Sequence, residues 1–263
     1  MNSIMLDLGF IQIRWYSFLM LVSILTGGFL IYKEAIKKGI DKEELIDIMF
    51  YSILIGILGA RTYYVIFNLD YYLSSPLEII KIWNGGLAIH GALIATLTFL
   101  YFYFKKKKMN LLLFLDIVVV GLIIAQSIGR WGNFFNGEAY GRVVDIATLK
   151  KMHLPQFIIN GMHIGYSYYE PTFLYESVLS LIGFIVLIIV RKTKKLKTGT
   201  LTSIYLMWYG IERLIIETFR SDSLMLGPIK VAQLVSIIGI ITGIIILFRS
   251  IKYKKLYIKD KLV

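Results

Sequence analysis

The sequence predicts an all-α integral membrane protein, with seven transmembrane helices and a small extracytoplasmic cap between spans four and five. Three observations carry that reading. Hydrophobic residues make up 57% of the 263 and charged residues only 17%, against about 45–50% and about 25% in a soluble domain; the mean hydropathy is +0.70. Apolar runs of about 20 residues, the helix length that crosses a bilayer core of about 30 Å, recur along the chain. The basic residues behind a net charge of +12 sit mostly between those runs rather than on one soluble face, which is a membrane pattern and argues against a nucleic-acid partner. There is no cysteine and there are only four prolines. Disulfides, thiolate metal sites and a catalytic cysteine are excluded, so any thiol in the chemistry must come from a substrate.

The runs lie near 15–32, 46–67, 86–104, 111–128, 171–190, 201–219 and 229–248. The first lacks a basic start and a small-residue cleavage site, so it reads as a span rather than a signal peptide. Orientation follows from Lys and Arg. Lys33, Lys37, Lys38 and Lys42 follow the first run, and Lys105–Lys108 follow the third. Arg191, Lys192, Lys194, Lys195 and Lys197 follow the fifth, and Arg249, Lys252, Lys254, Lys255, Lys259 and Lys261 form the tail. With seven spans all four segments share one side, the cytoplasmic one, leaving the N-terminus outside and the C-terminus inside. The four-lysine run reads as a topological anchor that also favours anionic headgroups. No internal repeat is visible. The stretch 129–170 is too long for a plain connection and reads as the cap; the whole chain reads as a single polytopic membrane domain.

The remaining basic residues fall on the outer side or within spans: Arg14, Arg61, Lys81, Arg130, Arg142, Lys150, Lys151, Arg213, Arg220 and Lys230. An ionisable residue at membrane depth costs at least about 2.5–3.5 kcal/mol, which makes it a functional candidate. Arg213 and Glu217 are four residues apart and share a helix face. Read structurally, they form an ion pair that sets helix packing. Read functionally, the arginines gather an anion, and a phospholipid phosphodiester matches guanidinium geometry. His90, just after Trp83-Asn84-Gly85-Gly86, could merely bond a carbonyl; beside arginines, its ordinary pKa of about 6.5 suits proton transfer. Tyr16, Tyr175 and Tyr209 are either interfacial aromatics or headgroup partners. No HxxxH or HxxE pattern occurs, so neither a metal nor any other cofactor is expected.

The most unusual stretch is Gly129-Arg130-Trp131-Gly132-Asn133-Phe134-Phe135-Asn136-Gly137-Glu138-Ala139-Tyr140-Gly141. Its four glycines each cost a helix about 1 kcal/mol relative to Ala, so a non-helical, ligand-binding loop is expected, with a re-entrant turn capped by Asn as the plainer alternative.

That stretch resembles the signature of the prolipoprotein diacylglyceryl transferase family: Gly-Arg-x-Gly-Asn-Phe-x-Asn-Gly-Glu, then Gly. Further matches span the chain in order. They are Arg14-Trp15-Tyr16, Gly85-Gly86 with His90-Gly91, Pro171-Thr172-Phe173-Leu174-Tyr175-Glu176, and Tyr209-Gly210 with Arg213, Glu217, Phe219 and Arg220. The resemblance implies a multi-pass enzyme of the bacterial cell membrane with its active site toward the outer leaflet. Its substrates would be phosphatidylglycerol and the lipobox segment of a prolipoprotein. By position it implies catalytic roles for His90, Arg130 and Arg213. It implies substrate-binding or site-integrity roles for Tyr16, Asn133, Glu138, Gly141, Tyr209, Glu217 and Arg220. One departure is visible, since Glu170 stands where many relatives are expected to carry a histidine. Two other readings compete: a transporter or channel for an anionic solute, and a non-catalytic membrane scaffold.

Overall fold

The structure, a computed structural model, describes residues 3–9, 12–221, 225–253, 256, 257, 261 and 262. Lys254, Lys255 and Lys259 of the basic tail lie outside the described residues.

Seven long helices occupy the seven predicted runs: α1 (Trp15–Lys37), α2 (Lys42–Ile66), α4 (Ile89–Lys107), α5 (Leu111–Asn136), α8 (Thr172–Arg191), α9 (Thr200–Phe219) and α10 (Val231–Tyr253). Five of them, α1, α2, α5, α8 and most of α10, are long and apolar enough to cross a membrane, in keeping with an integral membrane protein. The other two are long but carry charge: Lys105–Lys107 end α4, and Glu212, Arg213 and Glu217 interrupt α9. Short elements fill the connections. They are α3 (Leu69–Ser74), the 3₁₀ turns Pro76–Ile80 and Ile82–Asn84, α6 (Ile146–Lys151) and α7 (Gln156–Gly161). With them are seven small strands: β1 (Ile4–Asp7), β2 (Gln12–Arg14), β3 (Val143–Val144), β4 (His163–Ile164), β5 (Ser167–Tyr169), β6 (Met225–Leu226) and β7 (Ile229–Lys230). All the strand pairings are antiparallel: β1 with β2, β5 between β3 and β4, and β6 with β7.

Contacts divide the chain into two units: Met1–Glu34 with Leu115–Asp260, and Ala35–Phe114 with Lys261–Val263.

In the first unit small residues let helices touch backbone to backbone, the usual device where lipid supplies no hydrophobic drive between helices. A Cβ on Gly27 of α1 would stand 2.6 Å from the Gly121 carbonyl of α5, and one on Gly210 of α9 would stand 2.9 Å from the Ser236 carbonyl of α10. The same principle accounts for a departure from the sequence reading. The glycine-rich stretch expected as a non-helical loop is helical as far as Asn136. Its glycines accommodate α1: Gly132 faces the Tyr16 ring, where a Cβ would approach to 3.1 Å, and Gly129 faces Met20. The close approach outweighs the propensity cost of about 1 kcal/mol per glycine. The helix stops where Gly137 adopts φ +65°, with the Glu138 N–H returning to the Asn133 carbonyl at 2.9 Å. The insertion between α5 and α8 therefore begins after Asn136 rather than at Gly129. It has an apolar core of its own, Leu149, Ile158, Ile159 and Met162, packed on Phe134 and Phe173, whose rings stack at 4.5 Å.

At the opposite end of α5, Asp116 is fully buried. It accepts from the Gly199 N–H at 2.5 Å, the Thr202 N–H at 2.7 Å and the Thr202 hydroxyl at 2.6 Å. Gly199 is the N-cap residue of α9 and brings no side chain, so a carboxylate from another helix supplies the missing acceptor and opposes the dipole.

The second unit is built on α2 and α4. Asp41 caps α2 by accepting from the Glu43 and Glu44 N–H groups. Gly59 of α2 and Gly91 of α4 meet so closely that a Cβ on either would overlap the other's carbonyl. In the connection between them, the Glu78 carboxyl is held below its ordinary range, chiefly by its hydrogen bond from Lys81.

Loss of the Asp116 carboxylate leaves three buried donors without this acceptor. At about 1–3 kcal/mol for each buried unsatisfied donor, Asp116→Ala should destabilise the protein by at least about 3 kcal/mol. Thermal unfolding in detergent checks this; an unchanged midpoint would show that the cap contributes nothing.

Candidate active site

The first unit brings three of the predicted residues onto one carboxylate. Arg130 comes from the C-terminal part of α5, Arg213 from α9, and Arg220 from the extended residue that ends α9. Between them stands Glu176, in the second turn of α8 and only 1% exposed. Arg130 Nε lies 2.5 Å from Glu176 Oε2, Arg213 Nη1 donates to Glu176 Oε1 at 2.7 Å, and Arg220 Nη1 lies 3.9 Å from the same oxygen. Arg213 also reaches back one helical turn, its Nη2 lying 2.8 Å from Glu217 Oε2. The i,i+4 pair expected from the sequence is therefore present, as part of a larger group. Glu176 Oε2 and Glu217 Oε2 accept no aligned hydrogen bond among the described residues. Those two ion pairs are close charge contacts, and the Arg213–Glu176 contact alone is both ion pair and hydrogen bond.

Three guanidinium groups gather around Glu176 and Glu217, all largely withdrawn from solvent, and the buried Glu212 carboxylate acts on Arg130 and Arg213 as well. A unit charge opposite another at about 4 Å is worth about 4 kcal/mol at an effective dielectric constant of about 20, so guanidinium groups held this close together favour an oxyanion among them. Arginine suits a planar or tetrahedral oxyanion because its fork offers paired donors. One turn deeper, Glu212 is buried and accepts from the Ser180 hydroxyl at 3.1 Å, and the Gln126 amide donates to the Tyr205 hydroxyl at 3.0 Å. Tyr209 stacks on Tyr205 at 5.9 Å and neighbours Arg130.

The remaining predicted residues are placed as follows. Tyr16 opens α1 and packs on Gly132. The Asn133 carbonyl closes the end of α5. Glu138 lies exposed on the following turn, its Oε1 3.2 Å from Asn136 Nδ2, and among the described residues it makes no ion pair with the arginine group. Gly141 packs at a corner where a Cβ would stand 2.7 Å from that of Glu170 and 2.9 Å from Thr172 Cγ2. Its N–H donates to the Glu170 carbonyl, so Glu170 shapes the corner through its backbone. His90 belongs to the second unit, on the first turn of α4, with its ring 6.2 Å from that of Tyr63.

Not every basic residue singled out from the sequence meets a carboxylate. Arg142 donates to the Thr218 carbonyl at 2.8 Å, and Lys230 donates to the carbonyls of Glu217 and Arg220 at 2.6 and 3.2 Å. Both satisfy the open C-terminal carbonyls of α9, and they hold the segment that presents Arg220. The sequence reading followed basic residues and did not single out Glu176. The signal was available, since a lone carboxylate within an apolar run is as conspicuous as an arginine.

Comparison with known proteins gives this arrangement its context. The family model for prolipoprotein diacylglyceryl transferase matches residues 3–249. The chain belongs to that family. Phosphatidylglycerol–prolipoprotein diacylglyceryl transferases of Staphylococcus aureus strains MSSA476, MW2 and JH9 are each 49% identical to it over 249 residues, covering 94% of this chain and 88% of theirs.

Because Glu176 is the shared counter-ion, Glu176→Gln removes the carboxylate that all three guanidinium groups approach. Breaking a buried pair in this way costs about 3–5 kcal/mol, so the variant should unfold at clearly lower temperature in neutral detergent. Wild-type stability would show that the carboxylate does not hold the group together.

Proposed function

We propose that this protein transfers the diacylglyceryl group of phosphatidylglycerol to the lipobox cysteine thiol of a prolipoprotein, forming a thioether and releasing glycerol phosphate. The observation that carries the reading is the convergence of three guanidinium groups on Glu176, in a chain matched to the transferase family over residues 3–249. The seven long helices are read as seven spans, with the N-terminus outside and the C-terminus cytoplasmic, in a bacterial cell membrane. The insertion between α5 and α8 is then an outer cap, and the arginine group faces the outer leaflet within one polytopic domain.

In the reaction the sulfur attacks the terminal glycerol carbon of the diacylglyceryl group. A C–S bond forms, and the C–O bond to phosphate breaks with its electron pair on the phosphate oxygen. The thiol proton leaves to a base and returns to the medium or to the product phosphate. The chain has no cysteine, so the nucleophile belongs to the substrate, and a thiol of pKa about 8.5 is only a few per cent thiolate at pH 7. His90 is the proposed proton acceptor. Arg130 and Arg213 bind the phosphodiester and stabilise the charge that builds on it, an electrostatic contribution of about 3 kcal/mol per donor. Arg220 joins this binding group, and Glu176 and Glu217 orient its guanidinium planes. Tyr209, Asn133 and Tyr16 line the headgroup, and Glu138 and Gly141 hold the turn after α5.

The decisive assay is incubation of purified protein in phosphatidylglycerol vesicles with a membrane-anchored peptide bearing one cysteine. A mass gain of one diacylglyceryl unit, absent for a Cys→Ser peptide and for Arg130→Ala, establishes both substrates. No gain with folded protein overturns the reading and turns attention to solute flux. Arg130→Lys should lose at least about 100-fold in kcat/KM, because an ammonium cannot replace a paired fork; near-native turnover would remove Arg130 from phosphate binding. His90→Gln should retain a slow activity that rises with pH as the thiol ionises by itself, and a flat profile would count against His90 as the base.

A further inference from the structure

Arg61 is a second kind of buried arginine. It lies in α2, is 7% exposed, and spends its donors on backbone alone. Nε donates to the Ile79 carbonyl at 2.8 Å, Nη1 to the carbonyls of Gly85 and Gly86 at 2.8 and 3.0 Å, and Nη2 to the Glu78 carbonyl at 2.5 Å. The Tyr72 ring lies 5.1 Å from its guanidinium carbon. Four of the five donors of an arginine are thus directed at carbonyls of residues 78–86, with the Glu78 carboxylate near enough to act on the charge. The expectation that Arg61 contributes to an anion site does not fit this saturation.

The turn it grips leads directly into α4. Gly85 and Gly86 have φ of +86° and +73°, a conformation with little intrinsic preference that needs an external hold. Ala88, the N-cap residue of α4, donates its N–H to the carbonyl of Ala60, the neighbour of Arg61, at 3.1 Å. Adjacent residues of α2 therefore clamp the chain on both sides of Leu87. Two residues beyond Ala88 stands His90, followed by Gly91 in close contact with Gly59. Ala88 offers no side-chain cap, so the start of α4, and with it the imidazole, takes its position from α2.

We infer that Arg61 is a positioning residue for His90: through the carbonyls of residues 78–86 it fixes the turn that sets where the imidazole is held. The inference rests on the proposed transferase reaction with His90 as proton acceptor. Misplacement of a reacting group by about 1 Å can cost about 100-fold in rate. Lysine at position 61 keeps the charge but cannot span four carbonyls. Gly86→Ala disturbs the same clamp from the other side, since its Cβ would stand 2.5 Å from Arg61 Nη1 and 2.9 Å from Tyr64 Cε1.

The test is lipid transfer from phosphatidylglycerol vesicles to the single-cysteine peptide by the full chain, comparing wild type, Arg61→Lys, His90→Gln and the double variant. Arg61→Lys should lower kcat about 10–100-fold while leaving KM for phosphatidylglycerol within about twofold. The double variant should be no slower than His90→Gln, because Arg61 acts through a group already removed. Unchanged kcat, a loss confined to KM, or multiplied losses in the double variant would overturn the inference. If Arg61→Lys does not fold, Gly86→Ala replaces it under the same criteria. A wild-type protein without transferase activity overturns the parent reading; active wild type with an equally fast His90→Gln enzyme overturns only the role of His90 and the inference built on it.

Discussion

The site depends on one carboxylate held where water cannot reach it. Glu176 meets Arg130 and Arg213 within ion-pair distance and stands near Arg220, so helices α5, α8 and α9 are joined through a single residue. Like charges cannot be gathered in an apolar interior without such a counter-ion. With it, they are brought together. The same arrangement thus organises three helices and gathers the paired donors that suit an oxyanion.

The rest of the structure supports that group by leaving few other polar obligations open. Gly27, Gly121, Gly132 and Gly210 let the helices of the first unit approach closely enough to exclude lipid. Lys230 and Arg142 take the last carbonyls of α9, where Arg220 projects. Asp116 takes the first N–H groups of the same helix. Helix α9 is therefore held at both ends by side chains from outside it.

Arginines in this chain divide by what they face. Arg130, Arg213 and Arg220 face carboxylate, whereas Arg61 and Arg142 face backbone carbonyls. Residue type is the same in both sets. The distinction is between a group whose charge is met by another charge, and so can be shared with a ligand, and one whose donors are consumed by a turn or a helix end.

Much was legible in the sequence alone. The seven apolar runs fall on long helices, five of them long and apolar enough to cross a membrane, because helix length in a bilayer is set by thickness, a property of the solvent rather than of neighbours. The Arg213–Glu217 pair was legible because four residues bring two side chains to one face of any helix. The signature around Arg130 was legible because its residue order is long and specific. What only the tertiary structure decided was partnership. Gly129 and Gly132 read as helix breakers, yet they are helical because α1 packs where side chains would be. Arg61 reads as one of the cations that gather an anion, yet its donors are spent on residues 78–86. Glu176 stands in the sequence only as the end of a matched stretch, yet it anchors the cluster. Each depends on which distant segment arrives at the residue, and local composition and period contain no term for that.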